Sequence, residues 1–286
     1  MATLLTTAKI LADLKDEING KIYFIFEEGE ETGGGIEAMV DHLRDKGLDA
    51  CYGNHQASFL EVGEIRVIKG PSHAGCAGVE FDVIGKGGHG SRPDKCINPL
   101  TATANIITAL TTAWVNQLDI NEKVTFGLGS INGGAASNVI PNTCNVKGTL
   151  RFFDDKAGED ALEVLKEVTE ATAKAHKCEV EFSDYARIVA YPTINDPDLA
   201  EEVIKSLNDI YPDSYRDGEP TFGSESFFGY SRLCPSVYTK FGVRDEENGI
   251  TASAHTPEFD LNPEGIKYAV GLQVKFATDF LGEAND

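Results

Sequence analysis

The chain has 286 residues, 41% of them hydrophobic and 25% charged, with six cysteines and a formal charge of −21 at pH 7. That is the composition of a globular protein, longer than one ordinary core fills, so two domains are expected. The charge argues against nucleic acid and anionic membrane surfaces as partners, and scattered cysteines without a C-x-x-C pair read as reduced thiols of a cytoplasmic protein.

No apolar run reaches transmembrane length, and residues 1–11 lack the basic start and apolar block of a signal peptide. Residues 2–18 read as an amphipathic helix with Leu4, Leu5, Ala8, Leu11 and Leu14 on one stripe, closed by Gly20. A strand over 21–26 follows, then a helix over 34–46, a strand over 49–53 and a strand over 64–69. Helix and strand alternating at this spacing imply a parallel α/β sheet. From Gly75 the pattern changes. A half-buried strand over 79–84 leads to a long helix opened by Asn98-Pro99, strands over 124–131 and 144–153, a helix capped by Asp154 or Asp155, and a strand over 178–182. That β-α-β-β-α-β order is the ferredoxin-like split βαβ unit. A helix over 197–210, a strand over 236–241 and a helix over 262–281 then resume the first pattern. The expected organisation is an α/β domain over 1–73 and 189–286, with a small domain inserted over 74–188.

Several segments bear chemistry. The apolar strand ending at Phe26 runs into Glu27-Glu28-Gly29-Glu30-Glu31-Thr32-Gly33-Gly34-Gly35. Acids just past a strand's carboxyl end stand where α/β folds bind ligands, and crowding them is unfavourable unless a cation or protons compensate. A metal ion would do so; a solvated acidic loop is the alternative. Gly85-Lys86-Gly87-Gly88-His89-Gly90 satisfies G-x-G-x-x-G, but Arg92-Pro93 follows and the helix waits until Pro99, which excludes a dinucleotide fingerprint. Of six histidines, His42 and His176 fall on predicted helices and His73 has no distinguishing context. His55 ends a predicted strand and His255 lies in a polar loop. With Glu30 and Glu31 these last two make a plausible nitrogen and oxygen donor set, although any lone histidine is more often structural.

Seven segments in order carry a resemblance: Gly29-Glu30-Glu31; Tyr52-Gly53-Asn54-His55; Gly85 to Pro93; Gly133-Gly134-Ala135-Ala136-Ser137-Asn138-Val139-Ile140-Pro141; Gly148-Thr149-Leu150-Arg151; Gly223-Ser224-Glu225; and His255-Thr256-Pro257-Glu258-Phe259. The whole chain resembles the zinc-dependent amidohydrolases of the aminoacylase, hippurate hydrolase and indole-acetyl-amino-acid hydrolase type, within the larger group of co-catalytic metallopeptidases. The resemblance implies a metal-dependent amidohydrolase acting on N-acyl amino acids or dipeptides, dimeric through the inserted domain. Glu30 would be the general base, and Glu31, His55 and His255 metal ligands for zinc, or manganese or cobalt. His89 would stabilise the oxyanion by reaching from the inserted domain into the site of the partner subunit, and Asn138 and Arg151 would hold the substrate.

The chain also departs from that family. An earlier family segment ending Cys-Gly-His-Asp-x-His supplies two further ligands, including the bridging one, and Met1 to Leu5 match the residues that follow it. Glu31, His55 and His255 alone suit one metal, and a two-metal centre is incomplete. Glu27-Glu28-Gly29 stands where relatives have Gln-Pro-Ala, and Ser226 where an Asp commonly follows Glu225. The expectations are therefore an amidohydrolase whose start lies upstream of Met1, a silent binding or dimerising homologue, or a one-metal hydrolase.

Overall fold

The structure, a computed structural model, describes residues 1–32 and 34–282. Gly33 of the glycine turn and residues 283–286 of the last expected segment lie outside the described residues. The chain divides into two compact units. One comprises Met1–Ser72, Thr193–Pro220 and Ser226–Asp286, the other His73–Pro192 and Thr221–Glu225.

In chain order the first unit begins with α1 (Ala2–Asp13), α2 (Ile36–Leu43), β1 (Cys51–Glu61), β2 (Ile65–Arg66) and β3 (Gly70–His73, its last residue in the other unit). The second unit holds β4 (Gly75–Ile84), β5 (Gly88–His89), α3 (Pro99–Gln117), β6 (Thr125–Asn132), β7 (Val139–Ile140), β8 (Thr143–Phe152), α4 (Asp155–Ala175), β9 (Glu179–Phe182) and β10 (Ile188–Ala190). The first unit is completed by β11 (Thr193–Asn195), α5 (Pro197–Ile210), β12 (Tyr215–Arg216), β13 (Ser236–Arg244) and α6 (Gly265–Leu281).

The first unit is built on a mixed sheet in the order β1-β13-β2-β12, with β1–β13 and β2–β12 parallel and β13–β2 antiparallel. One face carries Ile65, Val67, Val237 and Val243 into a core closed by Leu199, Val203 and Leu207 of α5 and by Leu272 and Phe276 of α6. Tyr238 on the opposite face joins Ile36, Leu43, Phe227 and Tyr230. Asn195, fully buried, ties this framework together: its amide donates to the carbonyls of Ile68 (2.7 Å) and Tyr238 (3.1 Å) and accepts from the Tyr238 N–H (2.8 Å).

The expected strand over 21–26 does not form, and Tyr23 and Phe26 are exposed. A strand exists by pairing, and no ladder among the described residues takes this segment as a partner. Its neighbour 49–53 is instead the start of an eleven-residue strand. The first helix stops at Asp13, and its buried side is Thr3, Thr7 and Leu11, with Leu5 54% exposed. The expected leucine stripe is thus rotated, because α1 packs on α6 through a buried hydrogen bond from the Thr7 hydroxyl to Gln273 Oε1 (2.6 Å).

In the second unit all strand pairs are antiparallel. Strands β9, β4, β8 and β6 lie in that order, with β10 also on β4. Numbered along the chain this is 4-1-3-2, the split βαβ arrangement. Phe81, Val83, Val146, Leu150 and Phe152 from the sheet meet Ile106, Leu110 and Leu165 from α3 and α4, all essentially inaccessible to water. Local chemistry fixes the helix starts. Asn98 caps α3 ahead of Pro99, and the Asp154 carboxylate accepts from the Ala157 N–H at the start of α4. All six cysteines are free, and among the described residues no helix is long and apolar enough to cross a membrane.

Candidate active site

Four of the seven candidate residues belong to the first unit. Glu30 and Glu31 form a 3-10 turn with Thr32, both acids exposed, just before α2. Gly29 bends the chain there at φ +65°, and the Gly34 N–H returns to the Gly29 carbonyl (3.3 Å). A Cβ at Gly35 would stand 2.1 Å from the Glu28 carbonyl oxygen, so only glycine permits this approach. Glu27 anchors the segment: its Oε2 accepts from the Tyr230 hydroxyl (2.9 Å), whose pKa is pushed up by burial and by that carboxylate. Sequence reasoning passed over Tyr230, because nothing local links residues 203 positions apart.

His55 is half-buried in the body of β1, opposite Lys240 of β13. Its Nδ1 lies 2.6 Å from the Gln56 carbonyl oxygen. A carbonyl only accepts, so Nδ1 carries a proton, and the neutral form of the ring has its lone pair on Nε2. That is the form in which a histidine ligates a metal, its other nitrogen oriented by a main-chain carbonyl. His255 is exposed in a turn and holds φ +63°, an uncommon conformation for a residue with a Cβ. The turn is fastened to β1, three residues beyond His55, by the Ala254 N–H donating to Ser58 Oγ (3.2 Å). Ser58 is a second residue with no signal in the sequence.

The donor types suit zinc-like ions. However, among the described residues no three His, Cys, Asp or Glu side chains come close enough together to hold a metal ion. Glu31, His55 and His255 are therefore not gathered into one ligand set.

In the second unit β5 and β7 form a two-stranded clip in which His89 opposes Val139, and the Gly90 N–H donates to the Asn138 carbonyl (2.7 Å). Gly87 donates to Asn142 Oδ1 (2.8 Å), and a Cβ there would meet the Ile140 carbonyl at 2.6 Å. The clip thus brings His89 and Asn138 side by side. His89 Nδ1 accepts from the Ser91 N–H (3.1 Å) and sits 2.8 Å from its hydroxyl. A backbone N–H only donates, so this imidazole is neutral with its proton on Nε2, the opposite tautomer to His55. Arg151 is held elsewhere on β8, between Cys76 and Thr125 in register, and its Nη1 donates to Ser224 Oγ (2.7 Å). Burial raises the pKa of the Cys76 thiol and the Arg151 charge partly offsets it.

Comparison with known proteins places these residues in a lineage. Residues 72–177 match the peptidase dimerisation domain. The thermostable carboxypeptidase 2 of Saccharolobus solfataricus is 30% identical over 285 residues, which is 98% of this chain and 71% of that protein. The chain belongs to the M20 peptidase family. The IAA-amino acid hydrolase ILR1-like 4 of Arabidopsis thaliana is 29% identical over 98% of this chain. The crystal structure of a Bacillus subtilis dinuclear metal binding peptidase from the M20 family superposes with a TM-score of 0.81, at 24% identity, over 98% of this chain and 70% of that one; it shows the fold. The relatives of this M20 chain are amidohydrolases and peptidases, and it spans 64% of the length of the Arabidopsis protein.

Proposed function

We propose that the protein hydrolyses the amide bond of N-acyl amino acids or related dipeptides with the help of a divalent metal, and that this chain carries its base, its substrate grip and part of its metal-binding set. The observation that carries the reading is the opposed protonation of two histidines. His55 is protonated on Nδ1, which in the neutral ring leaves Nε2 free to ligate, and His89 presents an Nε2–H, as an oxyanion donor must. In this reading Glu30 takes the proton of the attacking water and returns it to the leaving amine. His89 donates to the developing oxyanion, with Asn138 beside it. Arg151 grips the substrate α-carboxylate through its fork of donors. Glu31, His55 and His255 are the candidate ligands, with zinc first and manganese or cobalt as alternatives. The dimerisation-domain match supports a homodimer through residues 74–188, and we place the protein in the cytoplasm.

The test supplies zinc or manganese and an N-acetyl amino acid to the purified chain and follows metal uptake and turnover. Uptake with turnover that Glu30→Ala abolishes is expected, and Arg151→Lys should raise KM for carboxylate-bearing substrates far more than it lowers kcat. The absence of both uptake and turnover overturns the hydrolase reading for this chain. The second reading, a silent binding or dimerising homologue, is favoured by the absence of a three-donor group among the described residues; it expects N-acetyl amino acid binding without hydrolysis. Mixing Glu30→Ala and His89→Ala chains restores activity if the site is shared between subunits.

A further inference from the structure

The chain is strongly acidic, yet one row across the first unit's sheet is basic. Backbone register sets His55 against Lys240, Lys240 against Arg66, and Arg66 against Arg216, so four neighbouring strands each contribute a basic residue on one face. That face is opposite the α5–α6 core, since Ile65 and Val67, on either side of Arg66, point into that core. Like charges directly opposite one another on a sheet repel, and natural sheets avoid them unless something compensates. Arg216 is compensated, donating through Nε to Glu64 (2.7 Å). Arg66 is not: its Nε is buried without a hydrogen-bond partner among the described residues.

The Arg66 guanidinium is held in place without being neutralised. Its carbon lies 4.7 Å from the centroid of the Phe59 ring, which also has Lys240 Nζ at 5.7 Å and is itself 49% exposed. On its other contact the guanidinium packs where a side chain at Gly218 would begin: a Cβ there would stand 2.7 Å from its carbon and from Nε. Glycine at 218 thus leaves the room the guanidinium occupies. A fixed arginine fork in register with a lysine, inside a field that repels free anions, is arranged to bind an anion locally.

We propose that this face is an anion-binding site, in which the terminal nitrogens of Arg66 grip a carboxylate or phosphate of a small ligand and Lys240 adds charge. The proposal does not depend on the hydrolase reading. Inorganic phosphate and N-acetylglycine are titrated separately into the chain at low salt, by calorimetry and by thermal unfolding, for the wild type, Arg66→Gln, Gly218→Ala and Lys46→Gln. Binding of either probe with a rise in the unfolding midpoint is expected, and the probe that binds identifies the oxyanion. Arg66→Gln should weaken binding at least tenfold. Gly218→Ala, which keeps the charge but displaces the guanidinium, should weaken it severalfold and serves if Arg66→Gln does not fold. Lys46→Gln, at an exposed lysine outside the row, should bind as wild type does; an equal loss there would mark a general effect of charge and overturn the proposal. So would no response of the wild type to either probe, or undiminished binding by Arg66→Gln or by Gly218→Ala.

Discussion

His55 and His89 occupy two regions that treat the same side chain in opposite ways. On β1 the ring is half-buried in the body of a long strand, and a main-chain carbonyl 2.6 Å away keeps the proton on Nδ1. On the β5–β7 clip the ring is exposed, and a main-chain N–H keeps the proton off Nδ1. The backbone group that happens to face the ring decides whether a histidine offers a lone pair or a hydrogen. Each setting depends on the sheet beneath it, so each can be broken separately.

The largest effect is expected beneath the clip. Phe81 is 1% exposed on β4, between β8 and β9, and Phe81→Ala should cost about 3–5 kcal/mol in denaturant unfolding. A smaller, comparable effect is expected under His55. Asn195→Ala removes two buried hydrogen bonds to Tyr238 of β13, the partner of β1, and a third to Ile68, and should cost about 2–3 kcal/mol. Gly87→Ala forces a backbone shift within the clip, worth about 1–3 kcal/mol, and should change the ¹⁵N shifts of His89 while leaving those of His55 alone.

Acid separates the two units. Burial tends to raise the pKa of Asp279 in α6, but hydrogen bonds from Lys275 and from Ser206 of α5 outweigh it and leave the value low. A depressed folded value means stability that is present above the ordinary Asp range and lost as pH falls through the folded value. The stability difference between wild type and Asp279→Asn should therefore shrink steadily below about pH 4, with most of the change in the unit carrying His55. Ser91→Ala should have the smallest effect, about 0.5–1 kcal/mol, since the Ser91 N–H still holds the His89 tautomer. A switch of His89 to the Nδ1–H form in that variant would show that the hydroxyl sets the proton.

Much of this architecture was legible locally. Asn98 before Pro99 and Asp154 before Ala157 announce helix starts, because a cap needs only its own next residues. The β-α-β-β-α-β order follows from periodicity and gives the sheet of the second unit. Other features were not legible. Residues 21–26 have the composition of a strand and form none, since pairing is a property of neighbours and not of the segment. The stripe on α1 turned toward Thr3 and Thr7 because of Gln273, 266 residues away from Thr7.

The sequence by itself determined which residues are candidates for the proposed chemistry: the acids at Glu30 and Glu31, the histidines at 55, 89 and 255, and the polar grips at Asn138 and Arg151. Those identities are read one residue at a time. The tertiary structure decided where each proton sits and which positive charges stand together. It set the Gln56 carbonyl against His55 and the Ser91 N–H against His89, and it brought Arg66, Lys240 and Arg216 into one row from segments far apart in the chain. Hydrogen bonding and Coulomb interactions act over a few ångströms of space, and only the folded backbone fixes those distances.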